Sequence, residues 1–149
     1  MEKLIKHSME PKCLRIVVIG LGQVGLPSAA VFAGKEFSVI GVDIDKKKIA
    51  TVNRGKCYIR EPGLDVLLRD AISKGLLRTT TDTVGAVRES DVVLIAVPTP
   101  VKDGITDLSY LRDALEAVKK GLHRGMLVII ESTIPPGTTV NFAKPLLEE

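Results

Sequence analysis

Ile16-Val17-Val18-Ile19-Gly20-Leu21-Gly22-Gln23-Val24-Gly25 contains the change of pattern from which the fold is read. A short apolar run ends abruptly at Gly20, Gly22 and Gly25 complete a Gly-x-Gly-x-x-Gly pattern, and an Ala-rich, helix-like sequence follows. Between a strand and a helix, each glycine has a mechanical meaning. Gly20 permits the tight turn, Gly22 removes a side chain so that a pyrophosphate can approach the backbone, and Gly25 lets the helix pack closely on the strand. The helix N-terminus then offers unpaired N–H groups and a partial positive charge to the phosphates, with Gln23 and Val24 between the glycines. Taken alone, the same pattern also fits a glycine-rich turn with no ligand.

A second apolar run over 39–42 ends in Asp43, eighteen positions beyond Gly25. An acidic residue near that spacing sits at the end of the second strand and can accept both hydrogen bonds from an adenosine ribose. Its charge would repel a 2′-phosphate, which favours NAD over NADP. Lys46, Lys47 and Lys48 argue mildly the other way, but they fit better as the solvated face of a helix capped by Asp45.

With 149 residues, 45% hydrophobic and 26% charged, the chain has the size and balance of one ordinary globular domain. No apolar run approaches the roughly 20 residues needed to span a bilayer, so no membrane partner is expected. The first twelve residues are mixed and polar, unlike a secretory signal, and residues 1–13 read as an N-terminal extension. A net charge of +3, spread along the chain, gives nucleic-acid binding little support. Cys13 and Cys57 form neither a disulfide framework nor a metal-ligand spacing, and read as reduced thiols of a cytoplasmic protein.

Apolar runs alternate with helical patterns, without internal repeats. That alternation predicts an α/β fold, a Rossmann-like doubly wound parallel sheet with helices on both faces. Strands are expected at 37–42, 76–79, 91–97 and 126–130. Helices are expected at 23–34, with Val24, Ser28 and Val31 along one side, and at 46–54. A further helix opens with Pro62 in its first turn and carries the stripe Leu64, Leu67, Leu68, Ala71 and Ile72. A brief helix over 82–89 follows. Another is capped by Thr106 or Asp107 and striped by Leu111, Leu115, Val118 and Leu122. The run at 91–97 suits a strand buried on both faces. It leads into Pro98-Thr99-Pro100, where proline holds the backbone extended. As the fourth strand it would lie beside the first, where strand order reverses and ligands bind. A last helix starts after Thr139, with Phe142, Leu146 and Leu147 as an apolar face in need of a neighbour.

Several separated motifs add to the glycine pattern: Asn53-Arg54-Gly55, Glu61-Pro62-Gly63-Leu64, Val97-Pro98-Thr99-Pro100 and Ser132-Thr133-Ile134-Pro135-Pro136-Gly137-Thr138. In this order the chain from residue 14 to 149 resembles the NAD-binding domain of the nucleotide-sugar dehydrogenases, the UDP-glucose and GDP-mannose dehydrogenase family. Thr106-Asp107-Leu108-Ser109-Tyr110 and Glu131-Ser132-Thr133 look most like the UDP-N-acetyl-D-mannosamine dehydrogenases.

The resemblance implies two successive oxidations of a UDP-sugar C6 alcohol to a carboxylate with two NAD, through a cysteine thioester, in an enzyme that is usually a homodimer. It implies that Gly20, Gly22, Gln23, Val24 and Gly25 hold the pyrophosphate. Asp43, with Lys48 near it, would hold the adenosine ribose. Pro98 and Thr99 would border the nicotinamide half. Thr133 would face the reacting centre, its hydroxyl positioning a water or the nicotinamide ribose; read without the family, that hydroxyl serves a local turn. The family's catalytic cysteine and its central and UDP-sugar-binding domains have no counterpart here, and neither Cys13 nor Cys57 lies in the family's cysteine motif. The chain is therefore expected to bind cofactor without turning over. A stand-alone dinucleotide-binding regulatory module is the alternative, and a methyltransferase a remoter one.

Overall fold

The computed structural model describes residues 14–148; the expected N-terminal extension, Cys13 included, lies outside the described residues. In chain order the first half is β1 (Arg15–Ile19), α1 (Gly25–Gly34), β2 (Ser38–Val42), α2 (Lys46–Asn53), α3 (Leu64–Ser73), β3 (Leu77–Thr80), α4 (Thr83–Arg88) and β4 (Val92–Ile95). A small hairpin, β5 (Val101–Lys102) and β6 (Ile105–Thr106), precedes α5 (Ser109–Gly121) and β7 (Leu127–Ile130). A π-helical turn (Thr139–Ala143) then enters α6 (Lys144–Glu148).

Five strands form one parallel sheet in the order β3-β2-β1-β4-β7. Their side chains alternate between two cores, as the period of two requires. Ile16, Val18, Val39 and Leu94 face α1, α2 and α3, where Leu26, Val52 and Leu68 meet them. Val17, Ile19, Ile40 and Val93 face α4 and α5, where Val87, Leu111 and Leu115 meet them. Residues 16–19 of β1 and 93–95 of β4 are buried on both faces, which is why the sequence there is unbroken and apolar. The doubly wound architecture is the one expected. β1 pairs with β2 on one side and β4 on the other, so strand order reverses at the C-terminal end of β1.

Local chemistry sets several element ends. Asp45 caps α2, its carboxylate accepting the N–H groups of Lys47 and Lys48. Asp82 caps α4 by accepting from Gly85. Asn53 opens the Asn-Arg-Gly motif, and its amide oxygen accepts both the N–H and the hydroxyl of Thr79 while its NH2 donates to the Thr79 carbonyl. The amide thereby pairs the edge strand β3 much as another strand would.

Several expectations are corrected. Helix α1 begins at Gly25, and its Val24 and Val31 side is exposed, while Leu26, Ala29, Ala30 and Ala33 face the sheet. Pro62 precedes α3, whose N-cap is Gly63. Helix α5 takes Leu108 as its N-cap, and Asp107 accepts the Ser109 N–H from one residue earlier. Those bonds from Ser109 hold the Asp107 carboxyl below the usual carboxylate range. The hairpin was unforeseen, although Asp103-Gly104, both at positive φ, is its sequence signal. Leu146 is buried, and Phe142 and Leu147 pack against the second core, so the last helix finds its neighbour within the domain. The Arg112 guanidinium lies 4.7 Å from the centre of the Phe142 ring, a cation–π contact across that seam. Among the described residues no helix is long and apolar enough to cross a membrane.

Candidate functional site

The crevice at the strand-order reversal is built from the turn after β1, the end of β2, the exit of β4 and one face of α5. Gly20 has φ +93°, and a Cβ there would overlap the Ala96 carbonyl, so the turn packs directly on the β4 exit. A Cβ on Gly25 would overlap the Gly20 carbonyl, which explains the close seat of α1. Gly22 differs from both. Its φ is not in the left-handed region, and an added Cβ would meet nothing within 4 Å. Neither backbone conformation nor packing within the chain calls for glycine at position 22. A side chain there would enter open space beside the turn.

Asp43 lies at the end of β2, only 9% exposed. Its Oδ2 accepts the Leu21 N–H at 2.9 Å and the Lys48 ammonium at 3.3 Å, and its Oδ1 accepts the Asp45 N–H at 2.9 Å. The buried carboxylate is thus paired and hydrogen-bonded, as its burial demands. It ties the glycine-rich turn to the start of α2. The turn after β1 is also held through the Leu21 carbonyl, which accepts the Tyr58 hydroxyl.

A cavity of ≈ 440 Å³ opens at this crevice. Of the residues expected to hold a dinucleotide, Gly20, Asp43, Lys48 and Pro98 line it. Gly22, Gln23, Val24, Gly25, Thr99 and Thr133 stand outside that lining. The Thr99 hydroxyl donates to the Thr133 carbonyl at 2.7 Å, which joins the two loops after β4 and β7. Thr133 itself is exposed. Ser132 stitches the same loops by donating to the Val97 carbonyl at 2.8 Å. Cys57 is half-buried and donates to the Ile59 carbonyl.

Sequence reasoning missed the far wall of the cavity. Tyr110, Asp113, Ala114 and Ala117 of α5 line it, with Ile44 and Thr83. Their spacing of three, four and seven places them on one helix face, a signal masked by the stronger apolar stripe beside it. A wider hollow of ≈ 730 Å³ is lined by α1 and α3 residues such as Val31 and Leu67, and includes none of the expected cofactor residues.

The arrangement fits a dinucleotide. It offers an open face at Gly22, a buried carboxylate at Asp43 and a wall that includes Ile44, Ala114 and Ala117.

The family model described as the UDP-glucose/GDP-mannose dehydrogenase family, NAD binding domain, matches residues 14–149. UDP-N-acetyl-D-mannosamine dehydrogenase of Campylobacter jejuni is 46% identical over 137 residues, which are 91% of this chain and 33% of that protein. NDP-N-acetyl-D-galactosaminuronic acid dehydrogenase of Ralstonia nicotianae is 49% identical over 125 residues, 83% of this chain and 29% of that protein. The crystal structure of a ternary complex of GDP-mannose dehydrogenase from Pseudomonas aeruginosa superposes with a TM-score of 0.87 at 39% identity, covering 91% of this chain and 32% of that one. The chain thus spans about a third of the length of the curated relatives it matches. The match and the crevice concern the same residues, and the chain belongs to the UDP-glucose/GDP-mannose dehydrogenase family as its NAD-binding domain.

Proposed function

We propose that this chain is the cofactor-binding part of a nucleotide-sugar 6-dehydrogenase that oxidises the C6 alcohol of a UDP-sugar to a uronate with two NAD. UDP-N-acetyl-D-mannosamine is the favoured substrate, in line with the names of the relatives at 45–46% identity, and UDP-glucose the second. The observation that carries the reading is Gly22, a glycine with no structural need beside a buried acceptor at Asp43.

NAD, when bound, supplies the acceptor for a hydride. The chain's own residues bind and orient it. Backbone N–H groups from Gly22 to Gly25 at the start of α1 receive the pyrophosphate. Asp43 accepts from the adenosine ribose, and Lys48 neutralises the carboxylate beside it. Pro98 and Thr99 border the nicotinamide half. Thr133 faces the reacting centre with its hydroxyl, and the bond from Thr99 to the Thr133 carbonyl joins its loop to the β4 exit. The sugar site and the thiol step belong to other parts of a full-length, homodimeric, cytoplasmic enzyme, as the family resemblance implies, so this chain alone binds without turnover.

Isothermal titration calorimetry tests the binding half of the reading: heat with NAD and none with S-adenosylmethionine is expected, and the reverse overturns it. The mass of the native protein in its source cells tests the rest. A product near three times this length supports the dehydrogenase, and a stable product of 149 residues favours a binding module.

A further inference from the structure

We infer that Tyr58 is a positioning residue for the pyrophosphate site, acting through the peptide plane between Leu21 and Gly22. The inference rests on the reading that this turn receives the pyrophosphate. Tyr58 lies 37 positions from Leu21, in the loop between α2 and α3, and its hydroxyl donates to the Leu21 carbonyl. On the other side of the same residue, the Leu21 N–H donates to Asp43 at 2.9 Å. The Leu21 side chain is fully buried. The residue between the first two glycines is therefore gripped at its N–H, its carbonyl and its side chain.

The consequence falls on Gly22. A peptide unit is planar and, here, trans, so the Leu21 carbonyl and the Gly22 N–H point in opposite directions. Holding the carbonyl on Tyr58 turns the Gly22 N–H away from Tyr58 and stops the plane from rotating. A glycine has no side chain to restrict its own dihedrals, so without that grip the N–H would sample several directions. A donor already aimed at its anion loses less entropy on binding. The phenol can serve as that donor over a wide pH range. Burial, then the charges of Asp43, Cys57 and Asp45, raise its pKa above the ordinary tyrosine value.

A merely structural role for Tyr58 would be carried by its ring and would affect every ligand alike. Tyr58→Phe keeps the ring and removes only the donor. Calorimetric titration with NAD and ADP, and an NMR titration with adenosine, separate the two roles. The expected result is affinity for NAD and ADP lowered about tenfold, as for one lost hydrogen bond, with adenosine affinity unchanged. In the ligand-free variant, 15N relaxation should show the Gly22 amide more mobile than in the parent chain. Unchanged affinity for all three ligands, or equal losses for all three, would overturn the inference. Gly22→Val serves as the control for the underlying reading. If that variant still binds ADP as the parent does, the turn does not hold the pyrophosphate, and the site assignment itself fails. If it loses ADP while Tyr58→Phe keeps it, only the role of Tyr58 fails.

Discussion

The Asp43 carboxylate accepts the backbone N–H of Leu21 at 2.9 Å, which ties the end of β2 to the glycine-rich turn after β1 across 22 positions of sequence. The residue best placed to receive the ribose therefore also shapes the turn best placed to receive the phosphates. On the proposed reading, ribose recognition and phosphate recognition share one side chain, and substitutions at Asp43 are expected to act on both.

Asp43→Asn is expected to relax the preference for NAD over NADP, because the charge that repels a 2′-phosphate is gone while Lys48 remains. The same change turns one acceptor into an NH2 beside the N–H donors of Leu21 or Asp45. Stability should fall by about 2 kcal/mol, the scale of a lost charge-assisted hydrogen bond. Titrations with both cofactors and a urea melt read the two effects separately. An unaltered affinity ratio would count against Asp43 as the ribose ligand.

Gly22→Val and Gly25→Ala should part company. The first places its side chain in open space, so the fold should hold to within roughly 1 kcal/mol while NAD binding is abolished. The second drives a methyl group into the Gly20 carbonyl and should destabilise the domain by about 3 kcal/mol or more, as overpacking does. Thermal melts beside calorimetry check the pair, and a Gly22→Val chain that binds NAD normally would remove the central support for the site.

Asn53→Ala removes three hydrogen bonds to Thr79 and leaves the edge of β3 without its side-chain cover. A loss of about 1–3 kcal/mol in urea is expected. NAD affinity should be unchanged, because the amide serves the sheet and not the crevice. A weakened NAD affinity at unchanged stability would contradict that division.

Alkaline pH should weaken the fold through Tyr58. Its folded-state pKa is raised, first by burial and then by Asp43, Cys57 and Asp45, whereas in the unfolded chain a tyrosine ionises near pH ~10. Above that pH the unfolded state holds fewer protons than the folded one. The stabilisation is thus fully present below pH ~10 and is lost as pH rises beyond it. Absorbance titration at alkaline pH, compared between the parent chain and Tyr58→Phe, isolates this group. A difference curve centred at the ordinary phenol value would refute the raised pKa.

Much of the fold was legible because its signals are local. Val92–Ile95 and residues 16–19 declare buried strands by unbroken apolarity. Gly20 and Gly25 declare a tight turn and a close helix, and Asp45 declares a cap. The hairpin at Asp103-Gly104 was equally local and was overlooked. Phe142, Leu146 and Leu147 show the opposite case. Their apolar pattern is local, but the neighbour it needs lies in the domain's own second core. What they pack against depends on where the π-helical turn delivers them, and no pattern within the helix encodes that.

The same division holds at the site. Sequence by itself determined the parallel doubly wound sheet, the glycine-rich turn and the acidic residue after β2, since periodicity and motif spacing are properties of neighbouring residues. Only the tertiary structure decided that Gly22 is free of structural duty, that the face of Tyr110, Asp113 and Ala117 closes the cavity, and that Tyr58 grips Leu21. Each of these depends on which surfaces meet when distant segments pack. A hydroxyl needs only one acceptor, and the chain offers a carbonyl at nearly every residue; folding selects which one lies within reach.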